Sequence, residues 1–248
     1  MMNLYIIRHA ESANNRIAQQ VDYDTFVATR ASDPPITELG FAQANLLATH
    51  LASSEYPEFS RTAVKADRNG YGITRLYCSP MRRALQTAYP LSQALGAPLA
   101  VWVDTHEQGG LFQGDPRTGE GLRGFPGMGR SAICEEFPGI HLPDEMTEEG
   151  WWPGHYEDRP ECDERAERVA QRLRSLAAVE PHMRIAMISH GTFIDHLLKR
   201  LLGIPPGQHM YFSHANTGIT RIEFTADDFV VLRYLNRFYH LPPSMVSR

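Results

Sequence analysis

Cysteine is scarce, with Cys78, Cys134 and Cys162 the only three in 248 residues. An odd number with no C-x-x-C spacing argues against a disulfide framework and a thiolate zinc site, and fits a reducing compartment. No apolar run approaches the roughly 20 residues of a membrane-spanning helix. The short apolar stretch at the N-terminus lacks a basic leader and ends in Arg8 instead of a small-residue cleavage site. A cytoplasmic protein with no membrane partner is the expectation. Positive charge is not in excess either: 24 Lys and Arg face 29 Asp and Glu, for a net charge of -5. That balance leaves no basic field to recruit nucleic acid, so an anionic ligand has to be gripped by a few focused arginines. There is no phosphate-cradling loop of the G-x-x-x-x-G-K type. The G-x-G-x-x-G run from Gly119 to Gly124 neither follows a predicted strand nor opens an apolar-periodic helix, so a dinucleotide site is not expected. His141, His155 and Cys162 have acids around them but fit no familiar ligand spacing, and no metal is expected.

What is present is an ordinary globular composition, 42% hydrophobic and 21% charged, enough for a sizeable core. Strand patterns run from Asn3 to Ile7, Ile73 to Cys78, Leu99 to Val103 and Arg184 to Ser189. Two more, Gly218 to Phe224 and Phe229 to Tyr234, are joined by a hairpin candidate at Thr225 to Asp228. Helix patterns follow Thr37, which is placed to cap, and run from Met81 to Leu95, from Glu161 to Ala178 and onward from Gly191. Ser79-Pro80 reads as a helix start, with Ser as cap and Pro in the first turn, and Pro90 should kink or interrupt that helix. Glu161 stands four residues before Arg165, the spacing of a helix-surface ion pair. Ser12 to Asp33 and Ser53 to Gly72 show no clear periodicity, and the tail from Leu241 is expected to fray. Strands alternating with helices imply an α/β fold, a three-layer α/β/α sandwich around a mostly parallel sheet. With no internal repeat or separating linker, residues 1–248 read as a single domain. Its Gly- and Pro-rich stretch at about 108–160 reads as an insertion or lid.

The chemistry gathers at predicted strand ends. The first strand runs straight into Arg8-His9, the third into Asp104-Thr105-His106-Glu107 and the fourth into His190, while Arg82 and Arg83 open the helix after the second. A guanidinium is not buried unpaired in a sheet, because a bare charge costs several kcal/mol or more there. The carboxyl edge of an α/β sheet is where ligand crevices form. An Arg fork beside an imidazole suits a phosphate, which one grips and the other attacks. Each residue has a plainer reading: His190 as a helix cap, Arg82 as a solvated or ion-paired neighbour. Trp151 and Trp152 either cap the crevice or pin the insertion to the domain. Arg117, Arg123 and Arg130 either supply charge for a second anionic group or are solvated loop arginines.

Leu4-Tyr-Ile-Ile-Arg-His-Ala-Glu-Ser12, Ser79-Pro-Met-Arg-Arg-Ala-Leu-Gln-Thr-Ala88 and Ser189-His-Gly191, in that order, resemble the histidine phosphatase superfamily, the phosphoglycerate-mutase-like fold. Pro35 to Ala44 and Asn216 to Arg221 also look like family segments, and the resemblance covers most of the chain outside Gln108 to Pro160. It implies that His9 is the nucleophile that becomes phosphohistidine, with Arg8 and Arg83 clamping phosphoryl oxygens and His190 donating a further hydrogen bond. Arg83 is preferred over Arg82 because it directly precedes Ala84. Asn15 matches a polar position near the phosphate. Glu107 aligns with the proton donor, with Glu11, Asp104 and Glu135 as the other acids that folding can bring close. Ala10 stands where the family more often has Gly, which would cost up to about 1 kcal/mol if φ were positive there.

The activity so implied is hydrolysis of a phosphomonoester, on a small molecule or a phosphoprotein, with no cofactor and no metal. Alternatives are phosphoglycerate-mutase-type transfer or a non-catalytic phospholigand-binding module. Phosphoglycerate mutases usually carry Glu-Arg-His-Tyr-Gly after the third strand, where this chain has Glu107-Gln108-Gly109-Gly110.

Overall fold

The computed structural model describes residues 1–53, 71–207, 209–227 and 229–248. Most of the predicted loop from Ser53 to Gly72 lies outside the described residues. Six strands form the central sheet: β1 (Met2–Arg8), β2 (Arg75–Cys78), β3 (Leu99–Val101), β6 (Arg184–Ser189), β7 (Ile219–Phe224) and β8 (Val230–Arg237). Their order is β3-β2-β6-β1-β7-β8. The first four in that order are parallel, and β7 and β8 add an antiparallel edge. β4 (Phe112–Gln113) and β5 (Arg123–Gly124) pair as a separate two-stranded ribbon within the insertion.

β1 is apolar on both faces because both are covered. Tyr5 and Ile7 pack with α3 (Glu38–Ala52) and α4 (Arg82–Leu95). Met2, Leu4 and Ile6 pack with α6 (Arg159–Val179) and α7 (Gly191–Leu201). Two apolar clusters, one on each side of the sheet, make the three-layer architecture. Ala166, Val169, Ala170 and Leu173 of α6, and Phe193, Ile194, Leu197, Leu198 and Leu201 of α7, are the buried faces that the periodicity predicts.

Three expectations need correction, and one segment without periodicity proves partly helical. The aperiodic segment from Ser12 to Asp33 holds two short helices, α1 (Ala13–Ala18) and α2 (Tyr23–Thr29), with no buried residue in either. They are specified by caps, Ser12 with Asn15 and Asp22 with Thr25, and so carry no apolar period to read. Ser79 does not cap α4: Met81 holds that position, and the carboxylate of Asp33 accepts the Arg82 N–H at 3.1 Å. Pro90 does not interrupt α4, whose buried Ala84, Leu85, Ala88 and Leu91 hold it against α3 and the sheet. The tail does not fray. Leu241 and Ser247 are buried, and Gln43 of α3 donates to Met245 O and Ser247 Oγ at 2.8 and 2.9 Å.

Within the insertion, α5 (Arg130–Glu136) docks on α4 through Arg82–Glu136, 3.1 Å. Trp151 is buried in the same cluster as Tyr5 and Ile7, so it pins the insertion to the domain. Trp152 lies over Gly110, where a Cβ would come within 2.2 Å of the indole and φ is +66°, so only glycine fits. The Gly119–Gly124 run leads into β5 and opens no helix. Among the described residues, no helix is long and apolar enough to cross a membrane.

Candidate active site

Three parallel strands end side by side. Arg8 is in register with Ser189, and Cys78 with Ile188. The residues that step off this edge, His9, His190 and Ser79, therefore leave from adjacent positions. His9 N–H bonds Ser189 O at 2.9 Å and Ser79 N–H bonds Ile188 O at 3.0 Å. The His9 and His190 rings lie 5.0 Å apart, centroid to centroid.

His9 is buried, and its hydrogen bonds fix its tautomer. Nδ1 lies 2.7 Å from Ala10 O, a pure acceptor, so Nδ1 carries the proton. Nε2 then presents a lone pair, toward which Arg83 Nε–H points at 3.2 Å. Burial, then the charges of Arg83 and Arg8, push the His9 pKa well below its ordinary value, so the neutral ring persists. Ala10 causes no strain: it is absent from the positive-φ positions, and its N–H bonds Thr87 Oγ1 at 3.0 Å.

His190 is held from behind. Ser79 Oγ accepts the Met81 N–H at 3.2 Å and shares a hydrogen bond with His190 Nε2 at 2.8 Å. The other ring nitrogen, Nδ1, is buried with no hydrogen-bond partner. Arg8 is similar: Nη1 donates to His214 O at 2.6 Å, while its buried Nε has no partner. An orphaned guanidinium N–H and an unpartnered imidazole nitrogen, with the His9 ring 5.0 Å from that of His190, leave polar groups that a tetrahedral oxyanion could engage. Burial lowers the pKa of both Arg8 and Arg83, with Glu107 opposing the drop in each and Asp33, 3.9 Å from Arg83, opposing it further there.

Glu107 is carried beyond β3 by a turn of 3-10 helix, Val103–Thr105. Its carboxylate sits on the N-terminus of α7, accepting the N–H groups of Phe193 at 2.9 Å and Thr192 at 3.3 Å, and that of Gln108 at 2.9 Å. The other acids weighed from sequence are elsewhere. Glu11 accepts Thr37 Oγ1–H at 2.7 Å, Asp104 lies back on the 3-10 turn, and Glu135 is on α5.

Asn15 is both part of the α1 capping box and a neighbour of the site. Its Oδ1 lies 3.3 Å from Asn216 Nδ2, which also donates to His9 O at 2.9 Å. Asn216 belongs to a hook over the end of β1, where Thr217 N–H bonds Arg8 O at 3.0 Å. Thr217 holds φ at +58°, an outlier for a β-branched residue. Sequence reasoning had flagged the segment but given Asn216 no role, and it missed Ser79, Asp33 and Arg30 as neighbours of the site. The i,i+4 spacing pairs Arg165 with Glu161. Instead it is buried, pairs with Glu157 at 2.5 Å, and donates to the carbonyls of Asp104 and His106 at 2.7 and 2.9 Å, just before Glu107. An i,i+4 surface pattern cannot reveal an arginine turned inward.

No group of three or more His, Cys, Asp or Glu side chains among the described residues is disposed to hold a metal ion.

With this geometry in place, the comparisons with known proteins are direct. The profile of the histidine phosphatase superfamily (branch 1) matches residues 4–237. The chain belongs to that superfamily. A protein of Proteus mirabilis named probable phosphoglycerate mutase GpmB is 24% identical over 226 residues, covering 90% of this chain and 86% of the relative. The alpha-ribazole phosphatase of Shigella flexneri superposes with a TM-score of 0.61 at 21% identity, over 96% of this chain and 97% of its own. Phosphoserine phosphatase of Entamoeba histolytica, solved with 3-phosphoglyceric acid, does so with a TM-score of 0.59 at 21% identity, over 98% and 100%. At these identities the solved structures establish the fold alone.

Proposed function

We propose that this protein hydrolyses a phosphomonoester through a phosphohistidine at His9. The observation that carries the reading is the fixed His9 tautomer, with an Nε2 lone pair facing the Arg83 Nε–H, and with Arg8 Nε and His190 Nδ1 left unpartnered for a phosphoryl group. Nε2 attacks phosphorus, the bond from phosphorus to the leaving oxygen breaks, and that oxygen takes a proton from Glu107. Glu107 then removes a proton from water, which displaces the phosphoryl group from Nε2 and frees inorganic phosphate. Arg8 and Arg83 supply the positive charge that such a transition state needs, so activity is expected to survive chelators. Asn15 holds the floor of the site through Asn216. The segment at 108–160 walls the crevice as part of a single domain.

Phosphatases among the similar structures favour water as acceptor, and the absence of Glu-Arg-His-Tyr-Gly after β3 removes the usual phosphoglycerate grip. The mutase reading draws on the relatives named as phosphoglycerate mutases and differs only in the acceptor. The deciding experiment combines aryl phosphate turnover, an interconversion assay with phosphoglycerates, and acid-labile radiophosphate on the chain. His9→Ala should lose both turnover and label; undiminished hydrolysis by that variant would refute the assignment.

A further inference from the structure

Arg30, the C-cap of α2, fits the second-anion role that is one of the two readings of Arg117, Arg123 and Arg130. Those three are engaged: Arg117 lies over the Tyr23 ring at 3.1 Å with Asp115 and Asp24 beside it. Arg123 donates to Gln113 Oε1 at 3.1 Å. Arg130 donates to the carbonyls of Leu142, Pro143 and Met146. Arg30 is different. Its Cζ stands 4.0 Å over the Phe112 ring and 5.6 Å from that of Phe26. Its Nε is buried with no hydrogen-bond partner, and its guanidinium pairs with no carboxylate among the described residues. A cation stacked on aromatic faces and left without an acceptor keeps its N–H fork for something else.

The chain around Arg30 is fixed against the catalytic groups. Ala31 exchanges two hydrogen bonds with the Asn14 side chain, at 3.0 and 2.8 Å. Three residues past Arg30, Asp33 caps α4 and approaches Arg83 to 3.9 Å. Phe112, on which Arg30 stacks, and Tyr156 both lie against Gly109, two residues past Glu107, and burial and then the charge of Arg83 bring the Arg30 pKa down to about 10. Tyr156, edge-on to Phe112 at 4.8 Å, completes the wall.

We infer that Arg30 binds a second anionic group, a carboxylate or a further phosphate, on the same phosphomonoester that His9 attacks. The inference rests on the phosphatase reading for the first anion only. Arg8 and Arg83 already face the acids Glu107 and Asp33. A third guanidinium on this side of the site, ion-paired with no carboxylate among the described residues, adds a charge that a neutral leaving group would leave unanswered.

The test separates binding from turnover. Affinity is measured by calorimetry for alkylphosphonates, for ω-phosphonoalkanoates of matching and graded length, and for the corresponding bisphosphonates. The wild type should prefer one of the doubly anionic series over the plain alkylphosphonate by roughly tenfold or more, the size of a charge-assisted hydrogen bond. Which series wins tells carboxylate from phosphate. Arg30→Gln should abolish that ratio, and Arg117→Gln, whose arginine is exposed and ion-paired, should keep it. No preference in the wild type at any length, a preference that survives Arg30→Gln, or an equal loss of both ligands in that variant would each overturn the inference. Aryl phosphate turnover by the wild type is read in parallel. Turnover without an Arg30-dependent preference refutes only the Arg30 role; the preference without turnover refutes only the phosphatase reading.

Discussion

Arg83 donates from Nε to the Nε2 lone pair of His9 across 3.2 Å. The same guanidinium that is proposed to grip a phosphoryl oxygen therefore orients the proposed nucleophile before substrate arrives. Arg83→Ala removes both effects and should lower kcat for an aryl phosphate by about 10²–10³, the usual loss for one transition-state donor. Arg83→Lys keeps the charge but not the planar fork, and should recover only a small part. Steady-state kinetics on both variants, with circular dichroism to confirm folding, would check this. Equal and full activity in Arg83→Lys would show that charge alone matters there.

Acid should unfold this protein sooner than carboxylate titration alone would. His9 and His190 are held neutral chiefly by burial, as are His106 and His214, the last down to about 4. In the unfolded chain each regains a pKa near 6.5. Below that pH the unfolded state binds protons that the folded state refuses, so stability falls as pH falls. The loss is about 1.4 kcal/mol per pH unit for each such histidine. Asp33 works the other way: burial raises it to about 6, so the folded state takes its proton first and gains stability as pH drops. One carboxyl does not offset four imidazoles. The melting temperature should drop steeply from about pH 6.5 to about pH 5, and His9→Ala should shallow that slope by one proton's worth. A flat melting profile over the range would contradict the burial of these rings as neutral groups.

How much of this was legible beforehand depended on whether a residue's role shows in spacing or only in space. Strands ending in Arg8-His9 and Ser189-His190 announce a sheet edge, since no core accommodates those groups, and their parallel register brings the imidazoles together. The buried faces of α6 and α7 follow from periodicity. Partners that meet across the sequence do not. Ser79 was read as a local cap because Ser-Pro looks like one, yet its hydroxyl supports His190, 111 residues away. Arg30 sat in a segment with no apolar pattern, since α1 and α2 bury nothing. Gln43, a polar residue on the buried face of α3, ties Glu11 N–H to the tail.

That tail reaches the active site. Ser247 O accepts the Asn216 N–H at 2.9 Å and Ser247 Oγ–H donates to Asn216 Oδ1 at 3.0 Å, while Asn216 holds the His9 carbonyl. Deleting residues from Leu241 onward should therefore lower both stability and kcat. Leu241 alone, if fully buried, contributes about 1.5–3 kcal/mol, and each lost hydrogen bond about 1 kcal/mol. Thermal unfolding and kinetics on the truncated chain measure the two effects. A truncation that costs stability but leaves kcat intact at a temperature where it is folded would break the proposed link from Ser247 through Asn216 to His9.

Arg165 offers a way to separate packing from positioning. It forms a buried pair with Glu157 and holds the carbonyls of Asp104 and His106, so it sets the path of the chain into Glu107. Arg165→Met strands the Glu157 carboxylate and should cost about 3–5 kcal/mol. Adding Glu157→Leu removes the stranded charge, and an apolar pair in a buried site is often as stable as the ion pair it replaces. The double variant should therefore recover much of the melting temperature. It should not recover kcat, because neither replacement donates to the two carbonyls, and Glu107 loses its fixed position over the N-terminus of α7. The expected signature is a protein near wild-type stability whose kcat is down by about tenfold or more with KM little changed, as when a proton-transfer group is misplaced. Recovery of kcat together with stability would show that Arg165 only fills space, and that Glu107 is positioned by α7 alone.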